Sequence, residues 1–139
     1  MVSDPVISDD LLTRGFIGVV GLRFETIARD RVVGTLDVTP KLLQPHGIVH
    51  GGVWCTVVEA LASVGAAVWL GEAGRVVGTS NSTDFLRPIT TGSVTAEATP
   101  VHRGHTQQLW LVEIRDERRR LVARGQVRLQ NLRKAPRVL

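Results

Sequence analysis

Six residues near the middle of the chain have the types and spacing for chemistry at a carbonyl group: Gln44, His50, Gly51, Gly52, Glu59 and Ser63. The run Gln44-Pro-His-Gly-Ile-Val-His50-Gly51-Gly52 opens an apolar segment in which Glu59 is the single acid. A helix starting at Gly51 presents unpaired backbone N–H groups and a partial positive charge. Glycines there let a ligand come close to the backbone. Such a helix start can stabilise a carbonyl oxygen as it becomes an oxyanion. Glu59 can supply a nucleophile or a general base. Among Val, Ala, Leu and Trp, this carboxylate is expected to be at least partly buried. That is costly for a lone acid and so a reason to expect chemistry. Ser63 lies one helical turn further on and points the same way.

The two halves of this machinery are too far apart to work within one chain. Gly51 and Glu59 are eight residues apart, about 12 Å along a helix. Two such helices, antiparallel across a two-fold axis, would set Glu59 of one chain opposite the helix start of the other. The spacing therefore predicts a dimer with two shared sites.

Hydrophobic patterning supplies the elements that position these residues. Residues 9–15 read as a short helix. Phe24–Ala28 and Arg31–Val38 alternate as two strands joined at Arg29-Asp30. Thr39–Val49 holds Pro40, Pro45 and Gly47 and reads as a loop. The long helix runs from about Gly51 to about Gly71, with a turn at Glu72–Gly74. Four strand-like stretches follow, Val76–Leu86, Ser93–His102, Thr106–Arg115 and Arg120–Leu132, before a polar tail. Consecutive strands after one helix imply an α+β fold with an antiparallel sheet. On the long helix, Val57, Leu61, Val64 and Val68, with Trp54 nearby, form a bulky side expected to pack on the sheet. Gly52, Cys55, Thr56, Glu59, Ala62, Ser63 and Ala66 form a small opposite side, open to a ligand or a second copy of the helix.

The composition narrows the function classes. At 139 residues the chain is read as one domain, 1–139, able to bury a core without disulfides or metal. Its one cysteine, Cys55, has no motif His beside it and is read as a small packing residue. Met1–Pro5 lacks the features of a signal peptide, so a cytoplasmic protein is expected. Val53–Leu70 approaches membrane-spanning length, but Glu59, Thr56 and Ser63 argue for a core helix. The charge of +4, carried by fifteen Arg and two Lys against thirteen acids, suits a phosphate-bearing small ligand. No basic stripe points to nucleic acid, and Arg118-Arg119-Arg120 reads as a solvated hairpin turn. The four His and one Cys show no metal-ligand spacing, and no nucleotide fingerprint is present.

Gln44, His50-Gly51-Gly52, Glu59 and Ser63 together resemble the motif of the hotdog-fold acyl-CoA thioesterases. The closest likeness is to the branch containing 4-hydroxybenzoyl-CoA thioesterase of the Arthrobacter type and 1,4-dihydroxy-2-naphthoyl-CoA thioesterase. Val76-Val-Gly-Thr, Phe85-Leu-Arg-Pro88, Val101-His-Arg-Gly104 and Leu121-Val-Ala123 extend the resemblance over about residues 15–132. It implies a long helix wrapped by an antiparallel sheet, in a homodimer or homotetramer, hydrolysing an acyl-CoA thioester without metal or cofactor, CoA being part of the substrate. An aromatic acyl group is implied first, with menaquinone biosynthesis one such setting. Medium- or long-chain acyl-CoA or acyl-carrier-protein thioesters, or a non-catalytic acyl-CoA sensor, are the alternatives. By the same resemblance, Gly51 donates the polarising N–H, with Gly52 beside it, and Gln44 positions the carbonyl. His50 assists the leaving thiolate, Glu59 of the partner subunit is nucleophile or base, and Ser63 orients water. His102, Arg103, Gly104 and His105 form a turn that approaches the nucleotide end of CoA. The run Asp116-Glu-Arg-Arg-Arg120 lacks the glycine of the family's Asp-Glu-x-Gly turn.

Overall fold

The computed structural model of the protein describes residues 8–136. The reading of Met1–Pro5 lies outside them. Two short helices, α1 (Asp9–Thr13) and α2 (Phe16–Val20), lead into β1 (Arg23–Ala28) and β2 (Arg31–Asp37). A 3-10 turn at Pro40–Leu42 precedes the long helix α3 (Gly51–Leu70). Then come β3 (Gly74–Phe85), β4 (Ser93–Arg103), β5 (Gln107–Arg115) and β6 (Leu121–Arg133). The strands form one six-stranded sheet in the order β1-β2-β4-β5-β6-β3, with every neighbouring pair antiparallel. The sheet curls around α3, as the sequence predicts.

Alternation along the strands aims one face at α3. Val94, Ala96 and Ala98 of β4, Trp110, Val112 and Ile114 of β5, and Val127 and Leu129 of β6 are buried with Val57, Val58 and Leu61 of the helix. α3 is long and apolar enough to cross a membrane by composition alone, but most of that stretch is covered by the protein itself. Glycine sets the closest approaches. A Cβ on Gly65 would stand 2.7 Å from the Trp110 ring, and one on Gly125 would stand 2.8 Å from Val58 Cγ1.

The sheet covers more of the helix than a two-sided reading allows. Ala62 and Ala66, assigned from sequence to the open side, are fully buried. Small side chains on that side let the strands of the curled sheet come close. The open strip keeps Gly52, Cys55, Thr56, Glu59 and Ser63, with Ala67 beyond them.

The short helix expected over 9–15 is α1, Asp9–Thr13, and a second helix that the sequence did not suggest, α2, follows it. Ser8 Oγ caps the first by accepting from the Leu11 N–H. Gly15, at φ 66°, breaks the chain direction between them. Strand β3 begins at Gly74, two residues before the expected start, because a 3-10 turn at Gly71–Ala73 feeds the chain straight into pairing with Arg133.

Candidate active site

The loop before α3 is held as a small hairpin. Leu43 and Val49 pair, the Gln44 N–H donates to Ile48 O at 2.8 Å, and the Val49 N–H donates to Ile89 O at 2.8 Å. This frame delivers His50 to the helix start, its own N–H bonded to Leu42 O at 2.9 Å. His50 is the N-cap residue: its Nδ1 accepts the Gly52 N–H at 2.8 Å. An accepting Nδ1 leaves Nε2 as the protonated nitrogen of the neutral ring. His50 O accepts the Val53 N–H at 2.9 Å. The Gly51 N–H is thereby left with no acceptor in the chain among the described residues.

Gln44 is oriented by its neighbour. Its Oε1 accepts the His46 N–H, which fixes the carboxamide oxygen and leaves the NH2 group as the free donor end. Gln44 and Gly51 line one cavity of about 420 Å³, together with Trp54, Phe85 and Arg87. The side chain of Arg87 has no ion pair or hydrogen bond among the described residues. Arg87 was placed from sequence only within a strand motif, because a lone Arg beside a proline carries no spacing signal.

Glu59 lies elsewhere. It opens onto a second cavity of about 460 Å³, shared with Thr56 and Ser63 of α3 and with side chains of α1 and α2. Contrary to the expectation of partial burial, Glu59 is exposed in the single chain, beside Gly78 of β3, where an added Cβ would stand 3.8 Å from its Oε1. Its carboxylate has no ion pair or hydrogen bond among the described residues. Thr56 Oγ1 donates to Gly52 O at 2.8 Å, and Ser63 is half-buried beside the carboxylate. The structure thus brings Gln44, His50, Gly51 and Gly52 together, and Glu59 with Ser63. It keeps the two groups in separate cavities of one chain.

The turn of His102, Arg103, Gly104 and His105 sits beside the C-terminal half of α3. The neighbouring Gln108 Nε2 donates to Ala66 O at 3.2 Å. That carbonyl is about 22 Å along the helix from Gly51. Arg103 is already committed. Its guanidinium bonds Arg29 O and Asp30 Oδ1, each at 2.8 Å, and lies 5.5 Å from the Trp69 ring centre. Gly104 O and His105 O accept from Asn131 Nδ2, while the His102 and His105 side chains stay exposed. No group of three or more potential metal ligands occurs among the described residues.

The sequence profile of the thioesterase superfamily matches residues 46–123. The Mycobacterium tuberculosis protein Rv1847 is 52% identical to this chain, over 90% of it and 91% of its own length. The 1,4-dihydroxy-2-naphthoyl-CoA hydrolase of Escherichia coli is 32% identical over 76% of this chain and 77% of its own. The solved structure of thioesterase HI1161 from Haemophilus influenzae superposes with a TM-score of 0.85 at 30% identity, covering 90% of this chain and 87% of that one.

Proposed function

The chain belongs to the thioesterase superfamily and has its hotdog fold, and from that premise we propose that it hydrolyses an acyl-CoA thioester, with an aromatic acyl group, at a site shared between two subunits. The observation that carries this reading is the unsatisfied Gly51 N–H beside the donor end of Gln44, with the unpaired Glu59 carboxylate in a different cavity of the same chain. The aromatic choice is supported by the Gln44 and Glu59 pairing of residue types and by the naphthoyl-CoA hydrolase among the relatives.

Gly51 N–H and the Gln44 NH2 would both donate to the thioester oxygen, whose charge grows as the carbonyl is attacked. Glu59 of the partner subunit acts in one of two ways. Its oxygen attacks the carbonyl carbon, giving an anhydride and CoA thiolate, and water then hydrolyses the anhydride. Alternatively, it takes a proton from water, which attacks directly. The Nε2–H of His50 donates to the leaving sulfur, and the Ser63 hydroxyl holds the water. The exposed His102 and His105 are offered to the nucleotide end of CoA.

The shared site requires self-association, and β3 supplies a surface for it. It is the last strand of the sheet, so one edge is unpaired along its length. Two copies of β3 meeting about a two-fold axis would run their α3 helices antiparallel.

Thiol release from aromatic, short and long acyl-CoAs tests the reading, with wild type and Glu59→Gln side by side. The variant should lose about 10²-fold or more in kcat, the scale of an acid–base group. Near-normal turnover would remove Glu59 from the mechanism.

A further inference from the structure

Strand β3 runs back beside α3 from the level of Glu59 to the level of Gly51. Gly78 stands against the Glu59 carboxylate, and Phe85 covers Gly51. Between them, Asn81 Nδ2 donates to Cys55 O at 2.9 Å. Gly51, Cys55 and Glu59 are spaced by four, one turn apart on one side of the helix. In an unbroken strand Gly78 and Asn81 would face opposite ways. A register shift between Gly78 and Ser80 turns both toward α3, and Thr79, the extra residue, donates from Oγ1 to Arg128 O at 3.1 Å.

The carboxamide of Asn81 is held at both ends. Its Oδ1 accepts from Thr83 Oγ1 at 2.7 Å, and since a carbonyl can accept but not donate, the NH2 end faces Cys55 O. Within α3 the same Cys55 O accepts the N–H of Glu59, four residues further on. Asn81 thus holds the helical turn that carries Glu59. The Gly51 end has anchors of its own, the Val49 N–H on Ile89 O and the His50 N–H on Leu42 O. The chemistry proposed above uses neither Asn81 nor Thr83.

We propose that Asn81 is a positioning residue for Glu59: by tying β3 to the Cys55 carbonyl, it sets how the carboxylate of its own chain stands toward the helix start of the other. This rests on the shared-site reading. β3 is the strand through which two copies would meet, so the reach of Glu59 across the two-fold axis depends on how firmly β3 holds its own helix. Opposite Glu59 the strand offers only Gly78, which has no side chain to set the separation by packing. The bond one turn away, at Asn81, fixes both distance and direction.

The test measures kcat and KM on benzoyl-, naphthoyl- and lauroyl-CoA for wild type, Asn81→Leu and Thr83→Val, with sedimentation of each. Asn81→Leu keeps the size of the side chain and removes the bond to the helix. Thr83→Val frees the carboxamide oxygen. Asn81→Leu should lower kcat about 10-fold or more, since a misplacement of about 1 Å can cost about 10²-fold. KM should stay within about 2-fold, because the group moved is one that acts in the transition state. Thr83→Val should lower kcat in the same direction by less. Both variants should sediment as wild type does. The second readout is the chain on which the change acts. A chain with Glu59→Gln lends only its Gly51, and a chain with Gly51→Pro and Phe85→Ala lends only its Glu59. Refolded together, they hold one intact site per mixed dimer. Asn81→Leu on the Glu59-lending chain should cut kcat of that site about 10-fold, and on the Gly51-lending chain should change it less than about 2-fold. Equal losses from both placements, an unchanged kcat, or a loss of self-association would each overturn the positioning role. If Asn81→Leu does not fold, Thr83→Val takes its place in both readouts, with the same outcomes deciding. A mixed pool inactive before Asn81 is touched, or a wild type that hydrolyses none of the panel, would overturn the shared-site reading and this inference with it.

Discussion

Gly51 answers to two neighbours. Its N–H faces the candidate oxyanion position, and its Cα lies under the Phe85 ring, where an added Cβ would stand 2.5 Å from Cε2. The sequence reading saw only the first reason for glycine, because Phe85 is 34 positions away and reaches Gly51 only through the fold. Replacing Gly51 by Ala should cost about 1–2 kcal/mol by overpacking, toward the low end because the exposed ring can yield. Adding Phe85→Ala should recover most of that loss. Urea denaturation of the two single variants and the double checks it, and additive losses would place the strain elsewhere. The β5–β6 turn shows the opposite case. Its missing glycine leaves Arg119 itself in the left-handed region, at φ 62°. An L-residue tolerates that conformation at the cost of strain.

At the scale of elements, the turn survives without glycine because Asp116 organises it. Its Oδ1 accepts the N–H groups of Arg118 and Arg120, each at 2.9 Å, and its Oδ2 accepts Arg120 Nε at 2.7 Å. Desolvation pushes this carboxyl up, but the backbone N–H of Arg120, its guanidinium and the Arg118 N–H outweigh it and hold Asp116 below the usual carboxylate range. A carboxyl lowered in the folded state adds stability that is fully present above its unfolded value, about pH 4. That stability is lost as the pH falls through the lower folded value. Asp116→Asn should therefore be less stable than wild type near neutrality, with the gap closing below about pH 4. Urea melts across that range would show it, and a gap independent of pH would assign the loss to packing. Elsewhere, α3 was legible as one long helix with a bulky face. The extent of its burial was not, since periodicity fixes where a side chain points but not how far a sheet curls around it.

At the scale of the molecule, the separation of Gly51 from Glu59 makes a mixing experiment decisive. One chain carries Glu59→Gln. The other carries Gly51→Pro, which removes the N–H while suiting a helix start, with Phe85→Ala to admit the proline's Cβ. Each protein alone should be inactive. Unfolded together and refolded in equal amounts, half the dimers are mixed, and each mixed dimer holds one intact site. The pool should therefore regain about a quarter of wild-type activity. Recovery absent from demonstrably mixed dimers would rule out shared sites.

Hydrophobic period and the residue types and intervals of Gln44, His50-Gly51-Gly52, Glu59 and Ser63 were enough to reach the α+β order of elements and the family, because these depend on local spacing and period. The twelve-ångström gap that calls for a second subunit is likewise a property of helix rise alone. Tertiary structure decided the rest. It put Phe85 over Gly51, left Arg87 unpaired beside Gln44, tied Arg103 to Asp30 and Trp69, and left Glu59 exposed in a groove walled by α1 and α2. Each of these joins residues distant along the chain. Their meeting depends on the curl and register of the sheet, which no local pattern encodes.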